Sequence, residues 1–155
     1  MKTAPNLART FGAAFTVLWL CHLPGAHAEE PRKPCSVSET KAALGSKSPS
    51  LAAAVQQVKS TRCSTFEIVL RRFVATQTNA GRKLEPTASL DMNAAAAQLK
   101  AARESPEFQA ALAQELNGVT DETVKALLEI ALLDDMDYNN ARDLRLLELR
   151  KEAAK

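Results

Sequence analysis

The side chains that carry most nucleophilic, redox and metal chemistry are scarce in this chain. Its 155 residues include two histidines, three cysteines and one tryptophan. His22, His27, Cys21 and Trp19 all lie before residue 29; only Cys35 and Cys63 lie beyond it. From residue 29 onward the absence of histidine excludes Ser-His-Asp and Cys-His catalysis, ordinary zinc sites and imidazole proton shuttles. Cys35 and Cys63 do not have the C-x-x-C spacing of a redox-active dithiol. No G-x-G-x-x-G or phosphate-binding loop motif is present, and glycines are too few for either. Carboxylates, lysines, hydroxyls and Tyr138 remain. The reaction class they permit is hydrolysis by a carboxylate pair, with Glu67 as the best acid because it borders an apolar stripe. A simpler role for Glu67 is structural. Ser64 and Glu67 form an S-x-x-E capping box, each side chain satisfying a backbone N–H at a helix start.

Asp134, Asp135, Asp137, Asn139 and Asn140 gather oxygen ligands of the kind calcium takes. An EF-hand loop needs Gly at its sixth position and Glu at its twelfth. Counted from Asp135, those positions are Asn140 and Leu146. The motif fails, and the stretch reads as a solvated turn between helices. No metal and no cofactor is expected.

The first 28 residues explain where the histidines and the tryptophan went. Lys2 and Arg9 make a positive start, 11–20 is a short apolar run, Pro24-Gly25 breaks it, and Ala26-His27-Ala28 is an A-x-A cleavage site. This is the pattern of a secretory signal peptide. The run is shorter than the roughly 20 apolar residues a membrane span needs, and nothing later is long enough, so no stable membrane anchor is expected. Leu20 is too bulky for the residue before a lipidated cysteine, which argues against Cys21 as a lipid anchor. The expected organisation is a signal peptide at 1–28 and a single domain at 29–155, periplasmic or secreted after cleavage near Ala28. In that oxidising setting Cys35 and Cys63 should pair, at a gain of about 3–4 kcal/mol for a loop of about 29 residues.

Periodicity places these residues on helices. The stretch 63–81 has Phe66, Val69, Leu70, Phe73 and Val74 at i, i+3, i+4, i+7, i+8 spacing, an arc of about 140°, with Gly81 as its stop. It holds the densest run of large apolar residues after the signal, and the chain reads as organised around it. Before it, Ser36 and Glu39 open a short helix to Leu44 with Gly45 as stop. Ser48 caps the next, with Pro49 at its first position and Leu51, Val55 and Val58 along one edge. The two make an αα-hairpin with Cys35 at one open end and Cys63 at the other. After a loop at 82–89, Ser89 or Asp91 starts an Ala-rich helix to about Glu104. Ser105-Pro106 opens one lined by Phe108, Leu112 and Leu116, ended by Asn117-Gly118. Thr120 caps another, with Val124, Leu127, Leu128, Ala131 and Leu132 inward and Ile130 and Leu133 on its other side. A last helix runs from about Tyr138. No alternating β pattern appears. The fold class is all-α, a small bundle of six or seven short helices with one N-terminal disulfide. SPSLAAAVQQV and SPEFQAALAQEL form a weak internal repeat, although Ser-Pro caps on Ala-rich helices also recur without common descent.

Without residues 1–28, basic and acidic residues are equal in number. A basic excess in 29–90 is matched by an acidic excess in 91–155. Arg71-Arg72 and Arg82-Lys83 make the best basic patch. Zero net charge and few aromatics argue against nucleic acid and against a membrane surface. The last helix carries two apolar pairs on different sides, Leu144 with Leu147 and Leu146 with Leu149. One core accounts for one stripe; the second points to a partner, another protein or a second copy in a homodimer. These four leucines are the candidate partner-binding residues, rimmed by arginines, lysine and carboxylates. The chain therefore reads as an exported, non-enzymatic helical protein acting by protein–protein interaction. A secretion or assembly accessory, a chaperone-like binder and a toxin-inhibiting immunity protein all fit that class. The alternative is a carboxylate-dependent cell-wall hydrolase.

Overall fold

The run 122–135, ETVKALLEIALLDD, is apolar on more than one helical face, and a helix of that kind has to be enclosed by others. In the structure, a computed structural model, it is the element the rest surrounds. Residues 32, 34–37, 44, 48–78 and 90–154 are described; all belong to one compact unit, Pro31–Lys155. The expected signal segment 1–28, Glu39, the expected stops Gly45 and Gly81, and the expected loop 82–89 lie outside them.

Six helices are formed among the described residues: α1 Pro49–Gln56, α2 Cys63–Thr78, α3 Met92–Glu104, α4 Pro106–Glu115, α5 Glu122–Asp135 and α6 Asn139–Ala153. The all-helical class is confirmed. A single antiparallel bridge, Pro34 with Lys59, is the only β-type pairing among those residues. α5 packs against α1, α2, α4 and α6, and Val124 and every residue from 126 to 133 are buried. The centre of the fold is thus α5 and not the 63–81 stretch. That stretch has a single core-facing stripe, and its other side keeps Ile68 48% exposed.

The core has two parts strung along the α5–α6 pair. The larger joins Cys35, Val37, Leu44, α1 and α2 to the first part of α5 and to Leu146 and Leu149 of α6. The smaller joins Ala95, Leu99, Ala102 and Phe108 of α3 and α4 to Leu132, Leu133, Ala141 and Leu144. Ile130 and Leu133, expected on an outer side of their helix, are fully buried because each core part takes a different face.

Two helix starts differ from their expected places, that of α2 by two residues and that of α5 by one. α2 begins at Cys63, with the Phe66 N–H donating to the Arg62 carbonyl at 2.9 Å. Ser64 is therefore inside the helix and exposed, and Glu67 bonds Arg71 at 2.8 Å, so the capping box is not formed as expected. The Ser60 hydroxyl instead accepts from the Arg62 N–H at 2.9 Å. Asp121, not Thr120, caps α5 by accepting from the Val124 N–H at 2.9 Å. Asp91 caps α3 through the Asn93 and Ala94 N–H groups. Ser105 caps α4 with its hydroxyl, whereas Ser48 stands at the same place before α1 without a side-chain bond. The cap of α6 is supplied from a distance: the Gln98 side chain of α3 accepts from the Ala141 N–H at 2.9 Å.

Among the described residues two left-handed ones close helices. Gly118 follows α4 at φ 77° and Asp137 follows α5 at φ 61°. At the second, the Tyr138 N–H donates to the Leu133 carbonyl and the Asp137 N–H to the Asp134 carbonyl, the bond pair of a Schellman cap. An added Cβ at Gly118 meets nothing within 4 Å, so Gly118→Ala should cost only the backbone preference, about 1 kcal/mol. Asp137→Gly should gain up to about 1 kcal/mol for the same reason. Urea midpoints with unchanged slopes would report both.

Candidate functional site

Cys35 and Cys63 are joined, with Cα atoms 5.1 Å apart. The segment before the bond is held as well. The Cys35 N–H donates to the Val58 carbonyl at 2.9 Å, and the Arg32 guanidinium donates to the Gln114 carbonyl at the end of α4. What reads as a polar leader is a strap fastened at three points.

The four leucines of the last helix are distributed differently from expectation. Leu144, Leu146 and Leu149 are all buried, and Leu147 is half-buried. Leu144 lies in the smaller core part, and Leu146 and Leu149 in the larger. The expectation that one pair leans outward is corrected. Two stripes exist because two core parts flank α6; Leu144, Leu146 and Leu149 are internal, and half-buried Leu147 belongs to neither core part.

The acidic turn is tied down by arginine. Arg142 bonds Asp134, the Asn139 side chain at 2.8 Å and Asp143 at 2.9 Å. The Asp143 bond, opposed by burial and helped by Asp134, leaves Arg142 with a pKa above its ordinary value. Asp135 accepts from Arg62 at 2.6 Å and from Thr65 at 3.2 Å. Among the described residues no group of three or more His, Cys, Asp or Glu is arranged to hold a metal.

Two carboxylates that periodicity did not single out are buried. Glu115, 3% exposed, accepts on Oε1 from the Thr61 hydroxyl at 2.9 Å and from Arg62 at 3.0 Å; its Oε2 is buried without a partner. Arg62 thereby bridges Glu115 and Asp135. Neither carboxylate lines the grooves described beside α4, α1 or the α5–α6 pair.

Glu129 is the second, and it gathers three helices. Its Oε1 accepts two bonds from Arg103 of α3, at 2.9 and 2.8 Å, and its Oε2 accepts from Arg145 of α6 at 2.9 Å. Arg145 continues outward to Glu148 at 3.3 Å and Glu152 at 3.7 Å. Burial alone would lower the pKa of Arg145, but the Glu129 bond and charge, with Glu152 and Glu148, hold it above its ordinary value. A buried carboxylate stripped of such partners is left with an uncompensated desolvation cost. Removing the carboxylate instead leaves Arg145 with only its longer contacts to Glu148 and Glu152. Glu129→Ala should therefore lower stability by about 2–3 kcal/mol, less than for a wholly buried pair because Arg103 is half-exposed. Glu129→Met combined with Arg145→Met should recover most of that loss in the same urea titration.

Beside this network lies an open groove of about 450 Å³. Phe108, Leu112 and Leu116 of the α4 region form its apolar floor, Gln109 and Ala113 its rim, and Arg103 and Glu129 its charged wall. Behind the floor, the Phe108 ring meets Tyr138 edge-on at 6.2 Å. The sequence marked Phe108, Leu112 and Leu116 as a helix lining, but nothing in it located Arg103 and Glu129 beside them.

No helix among the described residues is long and apolar enough to cross a membrane. Comparison of the chain with known protein families, with curated proteins and with solved structures finds no match to any of them.

Proposed function

We propose that the chain is an exported helical protein that acts by protein–protein contact and not by catalysis. A secretion or assembly accessory, a chaperone-like binder and an immunity-type inhibitor are the roles within that class. Export is supported by the signal-like start at 1–28 and by the Cys35–Cys63 bond, which belongs in an oxidising compartment.

The single observation that supports binding over catalysis is the state of the buried carboxylates. Glu115 and Glu129 both end on arginines. A general acid or base works with a carboxyl oxygen free to meet its substrate; both oxygens of Glu129 are on arginines, and Glu115 lines none of the described grooves. The hydrolase alternative has Glu115 and Asp135 as its best pair, and the Arg62 guanidinium occupies the space between them.

The contact surface in this reading is the outer face of α2. Ile68, 48% exposed, has exposed Arg71 and Arg72 beside it, an apolar centre with a charged edge. A photo-crosslinking residue at position 68, in protein exported by its own host, should give a discrete heavier adduct, and one at exposed Ala110 should not. Adducts at neither position, or clearing of a peptidoglycan gel by the purified protein, would replace this reading with the hydrolase.

A further inference from the structure

We infer that Asn117 is a site of spontaneous covalent modification, converting to aspartate and isoaspartate through a succinimide closed by the Gly118 nitrogen. This site does not rest on the α2 surface.

The reaction needs one side chain and the backbone nitrogen that follows it. That nitrogen gives up its proton and attacks the asparagine side-chain carbonyl carbon. The new C–N bond closes an imide ring, and the side-chain nitrogen leaves as ammonia. Water then opens the ring at either carbonyl. One opening gives aspartate; the other routes the backbone through the side chain and gives isoaspartate. One water enters and one ammonia leaves, so no oxidant or cofactor takes part. Asparagine is thermolabile for this reason. The rate depends on the Cβ of the following residue, which crowds the ring, and on whether that residue's N–H is already engaged.

Both brakes are absent at Asn117. It belongs to the one Asn-Gly pair in the chain, in the turn between α4 and α5, and both residues are exposed. Gly118 has no Cβ, and the place where one would stand has nothing within 4 Å of it. The Asn117 N–H donates to the Gln114 carbonyl at 3.4 Å and the Val119 N–H to the Leu116 carbonyl at 3.0 Å. The Gly118 N–H between them makes no hydrogen bond among the described residues.

The other asparagines among the described residues are held. Asn93 lies in the first turn of α3, and Asn139 and Asn140 in that of α6. The Ala94 N–H, which follows Asn93, donates to Asp91 at 3.1 Å. The Ala141 N–H, which follows Asn140, donates to Gln98 at 2.9 Å. The Asn139 side chain is bonded to Arg142 at 2.8 Å. All four asparagines are exposed, so exposure does not set Asn117 apart; the free nitrogen and the missing Cβ do.

The products act on the end of α4. A carboxylate at position 117 opposes the negative end of that helix. Isoaspartate also lengthens the backbone by a carbon, at the residue whose N–H shares the Gln114 carbonyl with Arg32.

Ageing the folded protein in warm, mildly alkaline buffer tests this, read by mass-spectrometric peptide mapping and by labelling with an isoaspartate methyltransferase. The peptide carrying Asn117 should exchange an amide for an acid and split into two products. It should do so at least tenfold faster than the peptides carrying Asn93 or Asn139-Asn140. The rate should rise with pH, because the Gly118 nitrogen attacks only after losing its proton. Gly118→Ala should slow conversion at least tenfold, and Asn117→Gln should remove the label. Unfolding in urea should accelerate Asn93 and Asn140, which lose their restraining bonds, more than Asn117. Aged wild-type protein should unfold at lower urea than fresh protein, and Asn117→Gln should not change with age. Conversion at Asn117 no faster than at the others, or an unchanged rate in Gly118→Ala, would overturn the proposal. So would a larger acceleration of Asn117 than of Asn93 and Asn140 in urea.

Discussion

Leu146→Ala and Leu149→Ala should each lower the free energy of unfolding by about 2–5 kcal/mol, as large-to-small changes in a packed core do. Leu146 is 6% exposed and Leu149 4%, and both belong to the cluster built on Phe66, Leu70, Leu127 and Ile130. Truncating either removes contacts on the flank of α6 that faces α2 and α5. Leu144→Ala should cost a comparable amount through the other core part, where it meets Leu132, Leu133 and Ala141. Half-buried Leu147 should cost less than any of the three. Urea unfolding followed by circular dichroism gives all four values. If Leu146→Ala and Leu149→Ala each cost less than about 1 kcal/mol, as exposed substitutions usually do, the two-part core described for α6 is wrong.

Loss of the Cys35–Cys63 bond should cost about 3–4 kcal/mol, the chain-entropy value for cysteines 28 positions apart. That is a large fraction of the 5–15 kcal/mol that holds a typical domain together. The cost should be visible as a lower urea midpoint for the Cys35→Ser, Cys63→Ser double variant, and equally for the reduced wild-type protein. The strap gives the effect a location. With the bond cut, the Cys35–Val58 and Arg32–Gln114 hydrogen bonds close a loop that the unfolded chain no longer has closed for it. Amide exchange should therefore accelerate first around Cys35 and Val58 and least at α5. A double variant as stable as wild type, or two alkylatable thiols in the natively folded protein, would contradict this account.

What the sequence made legible follows from which forces are local. The stripe Phe66, Val69, Leu70, Phe73 and Val74 is a property of one helix, and all five residues are buried as the spacing requires. The cysteine pairing follows from there being only two cysteines beyond residue 28. Caps were found to within two residues, because Thr120-Asp121 offers neighbouring choices and 60–64 carries two candidate serines, and only the tertiary packing decides between them. The polar network was not legible. Glu129 sits inside an apolar run, and its partners are 26 and 16 positions away, on helices whose facing no periodicity specifies. The α6 leucines show the same limit. Two stripes are visible in the sequence, but whether the second meets solvent or the same molecule depends on where α3 and α4 go.

The place of α5 in the chain sets an order of events. Proteins are made from the N-terminus, and α1 to α4 are complete before the first residue of α5 exists. Short helices without a packing partner are marginal in water, and both parts of the core need α5 to close. The growing chain therefore keeps its apolar faces open until α5 has been made, with ordered tertiary packing deferred to that point. Until then those open faces depend on being shielded from aggregation.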